Sequence, residues 1–344
     1  MPALTSDFCR DLVTASLSHI ARPVSEDGFF LYAHEAGDTS AVHPGYNLMQ
    51  HCGTFWFMAR AVNGLPVAPD AGLTLSIVRA LGRIGLKLAP PPWAEPDRPS
   101  LALVTQGAVK IGGLGLALLA LGEAQRIPSL QPLATGVLPH SLPETISRMQ
   151  QYTLDEIDRD DFRHKRDFAT GKVLPFRSDY YTGEALFGLL MTGAMSDDLA
   201  RVTTALMQRG YGWIEQSHWM AYAACEAVER GVVTERLGSV YLTGLMRMIL
   251  GDTSYRRRGQ STPIACRSEA LTRVLLLARA RPGLLEQNLV DHIRAHAEEN
   301  LRLQQRWYAD GQFWHGDDSR RVQIDYIQHN ATGYLQWLQL VRDT

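Results

Sequence analysis

The sequence predicts an all-α fold in which six helical hairpins close into a barrel. Apolar residues recur with helical periodicity along most of the 344 residues. Segments rich in apolar and small residues alternate with charged, amphipathic ones, and strand signals are few, the best of them at residues 28–32 and 311–314. A helix that is apolar on every face must be buried on every face. The alternation therefore predicts six inner helices wrapped by six outer ones.

Twelve helices are predicted, and the breaks between them contain residues that end helices. Prolines at 90–92, 139 and 143 and glycines at 210, 251 and 283 stand in these breaks. No break resembles an interdomain linker, so we expect a single domain over residues 1–344. The predicted helices span residues 5–20, 47–63, 71–87, 104–124, 143–160, 180–193, 196–208, 217–230, 232–250, 262–280, 283–305 and 325–342.

Composition and charge argue against several classes of protein. The chain is 45% hydrophobic with a formal net charge of -2, which argues against a disordered chain and against general attraction to nucleic acid. The longest apolar run, residues 111–121, is broken by glycines and too short to span a bilayer. Asp7, Arg10 and Asp11 interrupt any signal-peptide core. We expect a cytoplasmic protein without a nucleic-acid partner or a membrane span; no feature indicates an oligomeric state.

No motif for a cofactor or a metal is complete. Cys9, Cys52, Cys225 and Cys266 are widely spaced, so neither a disulfide scaffold nor a thiolate zinc site is indicated. The glycines at 107–115 lack the Lys-Ser/Thr ending of a phosphate loop and the third glycine of a dinucleotide fingerprint, and H-E-x-x-H is absent from the sequence. The prediction is no cofactor and no metal.

Polar and aromatic residues stand at the start of almost every predicted inner helix. In an up-and-down ring all inner helices run the same way, so their N-termini meet at one mouth, where free N–H groups favour anions. We take as candidate site residues Tyr46, Asn47, His51, Lys110, Asp179, Tyr180, Tyr181, Glu184, His218, Trp219, Arg267, Glu269, Asp325, Tyr326, Gln328 and His329.

Helix capping explains some of these residues equally well. Ser178, Asp179, Ser217, Ser261 and Asp325 are ordinary N-cap types. Capping does not explain the histidines, aromatic residues and remaining charges, which lie in otherwise apolar helices where an unpaired charge is costly. Internal ion pairs, for example of a glutamate with a basic residue of another helix, are the structural alternative for the charged ones.

The polar and aromatic candidate residues are most concentrated in three short segments: Tyr46-Asn47-x-x-x-His51-x-Gly53-Thr54, Asp179-Tyr180-Tyr181-x-Gly183-Glu184 and Asp325-Tyr326-x-Gln328-His329. With the hairpin count, this pattern resembles the (α/α)6 toroid superfamily, which includes glycoside hydrolases, polysaccharide lyases and the N-acylglucosamine 2-epimerase group. The resemblance covers nearly the whole chain without selecting one family. It implies an (α/α)6 barrel with short β-hairpin or loop insertions at the mouth, and a small sugar or a glycan, neutral or anionic, as the ligand.

The first hypothesis for the chemistry is glycosidic bond hydrolysis by two carboxyl groups. Asp179 or Glu184 would face Asp325 across the mouth. Burial would keep one carboxyl protonated as the acid, and a neighbouring cation would keep the other ionised. Aromatic residues, among them Tyr46, Tyr180, Tyr181, Trp219 and Tyr326, would stack on sugar rings, and amides such as Asn47 and Gln328 would bind hydroxyl groups.

Two alternatives remain. His51, His218 and His329 suit proton transfer at carbon, with Arg267 stabilising an anionic oxygen, so a cytoplasmic sugar epimerase, isomerase or lyase is the second hypothesis. The third is a non-catalytic protein that binds a glycan or a peptide beside a biosynthetic partner. Carboxyl groups locked in mutual salt bridges, with no open cavity, would favour this last reading.

Overall fold

The computed structural model describes residues 3–66 and 69–342. Thirteen α-helices lie within these ranges: α1 Ser6–Ala21, α2 Leu48–Gly64, α3 Ala71–Gly85, α4 Ile111–Gln125, α5 Gln131–Ala134, α6 Leu142–Asp155, α7 Tyr181–Met191, α8 Asp197–Gln208, α9 His218–Glu229, α10 Glu235–Gly251, α11 Ser261–Ala280, α12 Gln287–Gln304 and α13 Ile324–Val341. None of them has the length and apolar content needed to cross a membrane.

Six helices form a closed inner ring. α2 packs on α4, α4 on α7, α7 on α9, α9 on α11 and α11 on α13, and α13 returns to α2. The long helices α1, α3, α6, α8, α10 and α12 cover this ring from outside, and the short α5 is an addition between α4 and α6. The predicted all-α barrel of six helical hairpins is confirmed.

The distribution of apolar residues explains which helices are inside. In α4 every residue from Ile111 to Ala124 is buried, as expected for a helix enclosed by neighbours. In α8 the buried residues follow a single stripe with helical spacing: Leu199, Val202, Thr203, Leu206 and Met207. The remaining face of α8 is polar and stands in solvent.

Glycines set the close approach of α4 and α7. A methyl group on Gly115 would collide with the backbone carbonyl of Glu184, and one on Gly188 would collide with the backbone of Gly115. The small residues of these inner helices therefore allow backbone contact and hold the start of α7 against α4.

In the part of the chain that the structure describes, eleven short strands occupy loops that lead from an outer helix into the next inner helix, so they lie at the mouth where the inner helices begin. Their bounds are β1 Ala33–Glu35, β2 Asp38–Val42, β3 Leu88–Ala89, β4 Ala102–Thr105, β5 Ala108–Lys110, β6 Ile157–Asp158, β7 Asp161–Phe162, β8 Lys165–Asp167, β9 Tyr308–Ala309, β10 Gln312–Gly316 and β11 Ser319–Gln323. They form antiparallel sheets in the orders β2-β1-β11-β10-β9, β3-β4-β5-β8 and β6-β7. The β1–β11 pairing joins the first and last of these loops.

Several predicted boundaries were wrong. Residues 28–32 are not a strand, whereas residues 311–314 largely coincide with β10. The helix predicted from residue 104 begins at Ile111, because β4 and β5 form a hairpin whose turn holds Gln106 and Gly107 at positive φ. The helix predicted to residue 160 ends at Asp155, and β6 follows it.

Candidate active site

A cavity of about 650 Å³ opens at the N-terminal ends of the inner helices. Residues from α2, α7, α9, α11 and α13, which are distant in sequence, line it together. The structure brings ten of the predicted site residues to this cavity: Asp179, Tyr180, Glu184, His218, Trp219, Arg267, Asp325, Tyr326, Gln328 and His329. We call it the mouth cavity.

His329, near the start of α13, is held by a buried carboxylate. Its Nδ1 donates a hydrogen bond to Oε1 of Glu269 at 2.6 Å, and Oε2 of Glu269 accepts one from the Tyr222 hydroxyl at 2.8 Å. Burial alone would lower the pKa of His329, but the Cys266 sulfur and the Glu269 carboxylate beside it outweigh that effect. The pKa of His329 lies well above its ordinary value, so its imidazole is protonated at neutral pH.

His218, the first residue of α9, is neutral at neutral pH, unlike His329. Burial, followed by the positive charges of His329 and Arg267, lowers its pKa well below the ordinary value. Its Nε2 is buried and has no hydrogen-bond partner. The rings of His218 and His329 are 5.2 Å apart and nearly perpendicular. A neutral imidazole thus stands beside a protonated one, a pairing suited to acid–base chemistry.

Two carboxyl groups of the mouth cavity are also perturbed. Burial raises the pKa of Glu184 to about 8, although His329 opposes the shift, and Oε2 of Glu184 has no hydrogen-bond partner. Burial raises the pKa of Asp325 as well, while its carboxylate accepts hydrogen bonds from Nε2 of Gln50 and Nε2 of Gln323, each at 2.8 Å. Glu184 is therefore protonated at neutral pH, whereas the two amides support the ionised form of Asp325.

The other residues at the rim and floor have distinct surroundings. Nε of Arg267 donates to Oε1 of Gln216 at 2.9 Å, and its guanidinium lies over the Tyr255 ring. Tyr180 is half exposed and offers a free aromatic face. Trp219 is 4% exposed and packs against Trp56, so most of its surface belongs to the core.

His51 does not reach the mouth cavity, contrary to its assignment as a catalytic candidate. It is fully buried and points to the outer helix α3, where its Nε2 donates to the carbonyl of Ala80 at 2.9 Å. Its Nδ1 therefore accepts the hydrogen bond from the Tyr46 hydroxyl at 2.5 Å. Burial lowers the pKa of His51 to about 4, and the residue is a neutral structural histidine.

Five further candidates for substrate binding also lie away from the mouth cavity. Tyr46, Asn47 and Lys110 line a separate pocket, which shares only Met49 with the mouth cavity. The hydroxyl of Tyr181 contacts the Met49 sulfur at 3.3 Å, and Glu269 lies beneath the floor without exposure. The start of α2 thus borders both pockets, whereas Lys110 at the start of α4 faces only the separate one among the described residues.

Sequence reasoning missed Cys266, which lines the mouth cavity between His218 and His329. Its position three residues before Glu269 on α11 was the available signal, since residues at this spacing share a helix face. The potential ligand atoms of His218, Cys266 and His329 lie within 4.8 Å of one another, so they could hold one metal ion. Imidazole nitrogens and a thiolate sulfur are donors that zinc and copper both accept.

Another cavity, of about 630 Å³, opens at the opposite end of the barrel. Its lining contains no histidine or cysteine among the residues that the structure describes, and most of its charges are paired. Arg273 bonds to Glu229, and Nε of Arg230 donates to Oε1 of Glu226 at 2.7 Å. The acid–base groups are therefore concentrated at the mouth cavity.

Comparison with known proteins bears on the fold. No protein-family model matches the chain, and no curated protein is similar to it in sequence. Among solved structures, a D-mannose isomerase superposes with a TM-score of 0.68 at 10% identity, covering 98% of this chain and 99% of the other. A sugar epimerase from a ruminal bacterium superposes with a TM-score of 0.63 at 10% identity, covering 98% and 100%. The protein is an (α/α)6 toroid. At such identities the likeness of this toroid to both structures concerns the fold alone.

Proposed function

We propose that this toroid is a sugar isomerase or epimerase that moves a proton at the carbon next to a carbonyl group. The observation that carries the proposal is the pair of imidazoles in the mouth cavity. His218 has an unpartnered Nε2, and His329, at 5.2 Å between ring centres, is bonded to a buried carboxylate. The fold shared with a D-mannose isomerase and a sugar epimerase supports a free sugar as the substrate.

The reaction begins when neutral His218 accepts the proton from the carbon atom. The electrons of the broken C–H bond move toward the carbonyl carbon, and the oxygen becomes the anionic oxygen of an enediol. Protonated His329 donates to that oxygen, and Arg267 adds positive charge nearby. For isomerisation, His329 protonates the anionic oxygen and then takes the proton of the adjacent hydroxyl, which becomes the new carbonyl, while His218 returns its proton to the former carbonyl carbon. For epimerisation, the proton is delivered to the opposite face of the original carbon and the first carbonyl re-forms. Glu269 acts through His329 and is a positioning residue.

The test is exchange with solvent deuterium. Free aldoses and ketoses are incubated with the protein in D2O, and NMR follows deuterium at the carbon next to the carbonyl. We expect exchange with at least one sugar, and about a hundredfold or greater loss in His218→Asn and His329→Asn, the usual range for a general acid or base. His292→Asn, on the exposed face of α12, is the matched control. Absence of exchange with every sugar would refute the proposal.

Chelation separates this mechanism from one in which the same residues bind a metal. We expect exchange to survive dialysis against EDTA. Loss of exchange that zinc restores, together with about one zinc per chain by elemental analysis, would assign His218, Cys266 and His329 as ligands instead.

Glycosidic hydrolysis is a second candidate, favoured by Glu184. A buried carboxyl with a pKa of about 8 is protonated at neutral pH and can serve as the acid, with Asp325 as its partner. Release of reducing ends from an oligosaccharide panel, lost in Glu184→Gln and without deuterium at carbon, would select this reaction.

Binding without chemistry is the third hypothesis. Neither Glu184 nor Asp325 forms an ion pair among the described residues, and the mouth cavity is open, both of which favour an enzyme. Sugar binding without exchange and without release of reducing ends would select a binding protein.

A further inference from the structure

The separate pocket that Tyr46, Asn47 and Lys110 line has a volume of about 430 Å³ and lies between the start of α2, the end of α3 and the β4–β5 hairpin. Arg83, Lys87 and Lys110 line it together with the polar side chains of Asn47, Thr105 and Gln106, and none of the described residues that line it is acidic. We call it the basic pocket. Three cations without an acidic residue in the same pocket distinguish it from the rest of this nearly neutral chain.

These cations lack partners of opposite charge. Among residues 3–66 and 69–342, none of the three has a carboxylate within 4.0 Å. The guanidinium of Arg83 lies 3.8 Å from the centre of the Phe29 ring, and its Nε is buried without a hydrogen-bond partner. Leaving a buried guanidinium nitrogen without an acceptor destabilises the folded protein. A ligand in this pocket could supply the missing hydrogen-bond acceptor.

The positions of the lysines also favour an anion as the ligand of the basic pocket. The sequence contains four lysines, and two of them line the basic pocket. A third, Lys165, stands directly opposite Lys110 in the β5–β8 register. Like charges directly opposite each other destabilise a sheet. An anion bound to Lys110 in the basic pocket would weaken that repulsion.

Lys110 is also the N-cap residue of α4, and its side chain does not cap the helix. The N–H of Ile111 already donates to the His164 carbonyl at 3.1 Å, but the partial positive charge at the helix start still favours an anion. The helix start adds to the three cations and the orphan nitrogen of Arg83, which are independent observations.

We propose that the basic pocket binds the oxyanion of a small phosphorylated or carboxylated molecule. This inference goes beyond the proposed function, because it concerns a different pocket and does not require proton transfer. The oxyanion has two possible sources. It could be a charged group of the sugar substrate, since Met49 borders both the basic pocket and the mouth cavity, or it could be a separate free anion.

The experiment measures binding of inorganic phosphate and of acetate by titration calorimetry at low salt. We expect at least one of them to bind the full-length protein and to weaken as salt is added, because ions screen exposed charges. Lys87→Met with Lys110→Met should weaken binding at least about tenfold, since bonds from a charged donor are the stronger ones. Lys172→Met, an exposed lysine outside the pocket, is the matched control.

Glucose 6-phosphate and glucuronate distinguish the two sources. A charged sugar that binds about tenfold or more tighter than the matching simple anion assigns the pocket to the substrate, whereas equal affinity assigns it to a separate anion. Failure of both simple anions and both charged sugars to bind, or unchanged binding in the double lysine variant, would overturn the proposal. Because binding is measured without turnover, these results do not depend on whether deuterium exchange occurs.

Discussion

At the scale of single residues, the hydrogen bonds of Glu269 connect the core of the barrel to the mouth cavity. Its carboxylate is fully buried, yet it accepts from His329 on one oxygen and from Tyr222 on the other. The Tyr222 hydroxyl in turn accepts from Nε2 of Gln336. This chain of buried polar groups holds the Glu269 carboxylate in place, and the carboxylate in turn orients the imidazole of His329.

Tyr222→Phe tests this positioning. The change removes the donor to Oε2 of Glu269, so we expect the protein to lose about 1–3 kcal/mol of stability, the usual cost of a buried polar group left without a partner. Deuterium exchange by the folded protein should also slow, through kcat more than KM. Tyr241→Phe removes a buried hydroxyl that bonds to the Tyr211 carbonyl away from the site. Equal exchange rates in both folded variants would contradict the positioning role.

The buried His51 leads us to predict how the free energy of unfolding depends on pH. Its pKa is about 4 in the folded protein and about 6.5 when exposed, so its stabilising effect is complete above pH 6.5 and is lost as the pH falls through 4. Between pH 7.5 and pH 5 the free energy of unfolding should fall by about 2 kcal/mol because of this residue. Urea unfolding of wild type and His51→Gln at both pH values isolates the effect, and an identical pH dependence of the two proteins would refute it.

At the scale of elements, the backbone contact between α4 and α7 positions Glu184. Gly115→Ala would press a methyl group on the Glu184 carbonyl, and we expect a loss of about 1–3 kcal/mol, as for other overpacked cores. A methyl group on Gly113 would meet only flexible side chains, among them Cγ of Met49 at 3.3 Å, so Gly113→Ala is the control. Thermal unfolding measures both. Equal stability of the two variants would show that α4 and α7 can separate freely.

At the scale of the whole molecule, the ring closes where the two ends of the chain meet. α1 packs on α13, and both the start of α1 and the end of α13 lie at the end of the barrel opposite the mouth. The helices should therefore form equally well when the chain begins and ends in another exposed loop of the ring.

A circular permutant tests this independence. The two ends of this chain are joined by a short flexible linker, and new ends are placed in the exposed turn at Gly231, between α9 and α10. We expect the permutant to fold with stability within about 1–2 kcal/mol of the natural order, the range of ordinary point changes. Deletion of α1 should instead unfold the protein, because it uncovers the apolar surfaces of α2 and α13. Circular dichroism melts compare the three chains.

Much of this architecture was predictable because it depends on local pattern. The uninterrupted apolar character of α4 marks an inner helix, and the single apolar stripe of α8 marks an outer one. Polar residues at the starts of α9 and α13 similarly indicated a shared mouth. The hairpin before α4 was missed because residues 104–110 carry enough apolar residues to extend a helical pattern, and only their pairing in space makes them strands.

The sequence by itself determined the class of fold, the alternation of inner and outer helices, and the end of the barrel at which polar groups collect, because each follows from residues adjacent along the chain. Tertiary structure decided which of those groups meet. Successive helix residues rotate by about 100°, so His51 faces α3 while its neighbour Gln50 lines the mouth cavity. The contact of His329 with Glu269 joins two helices whose relative rotation only packing could set.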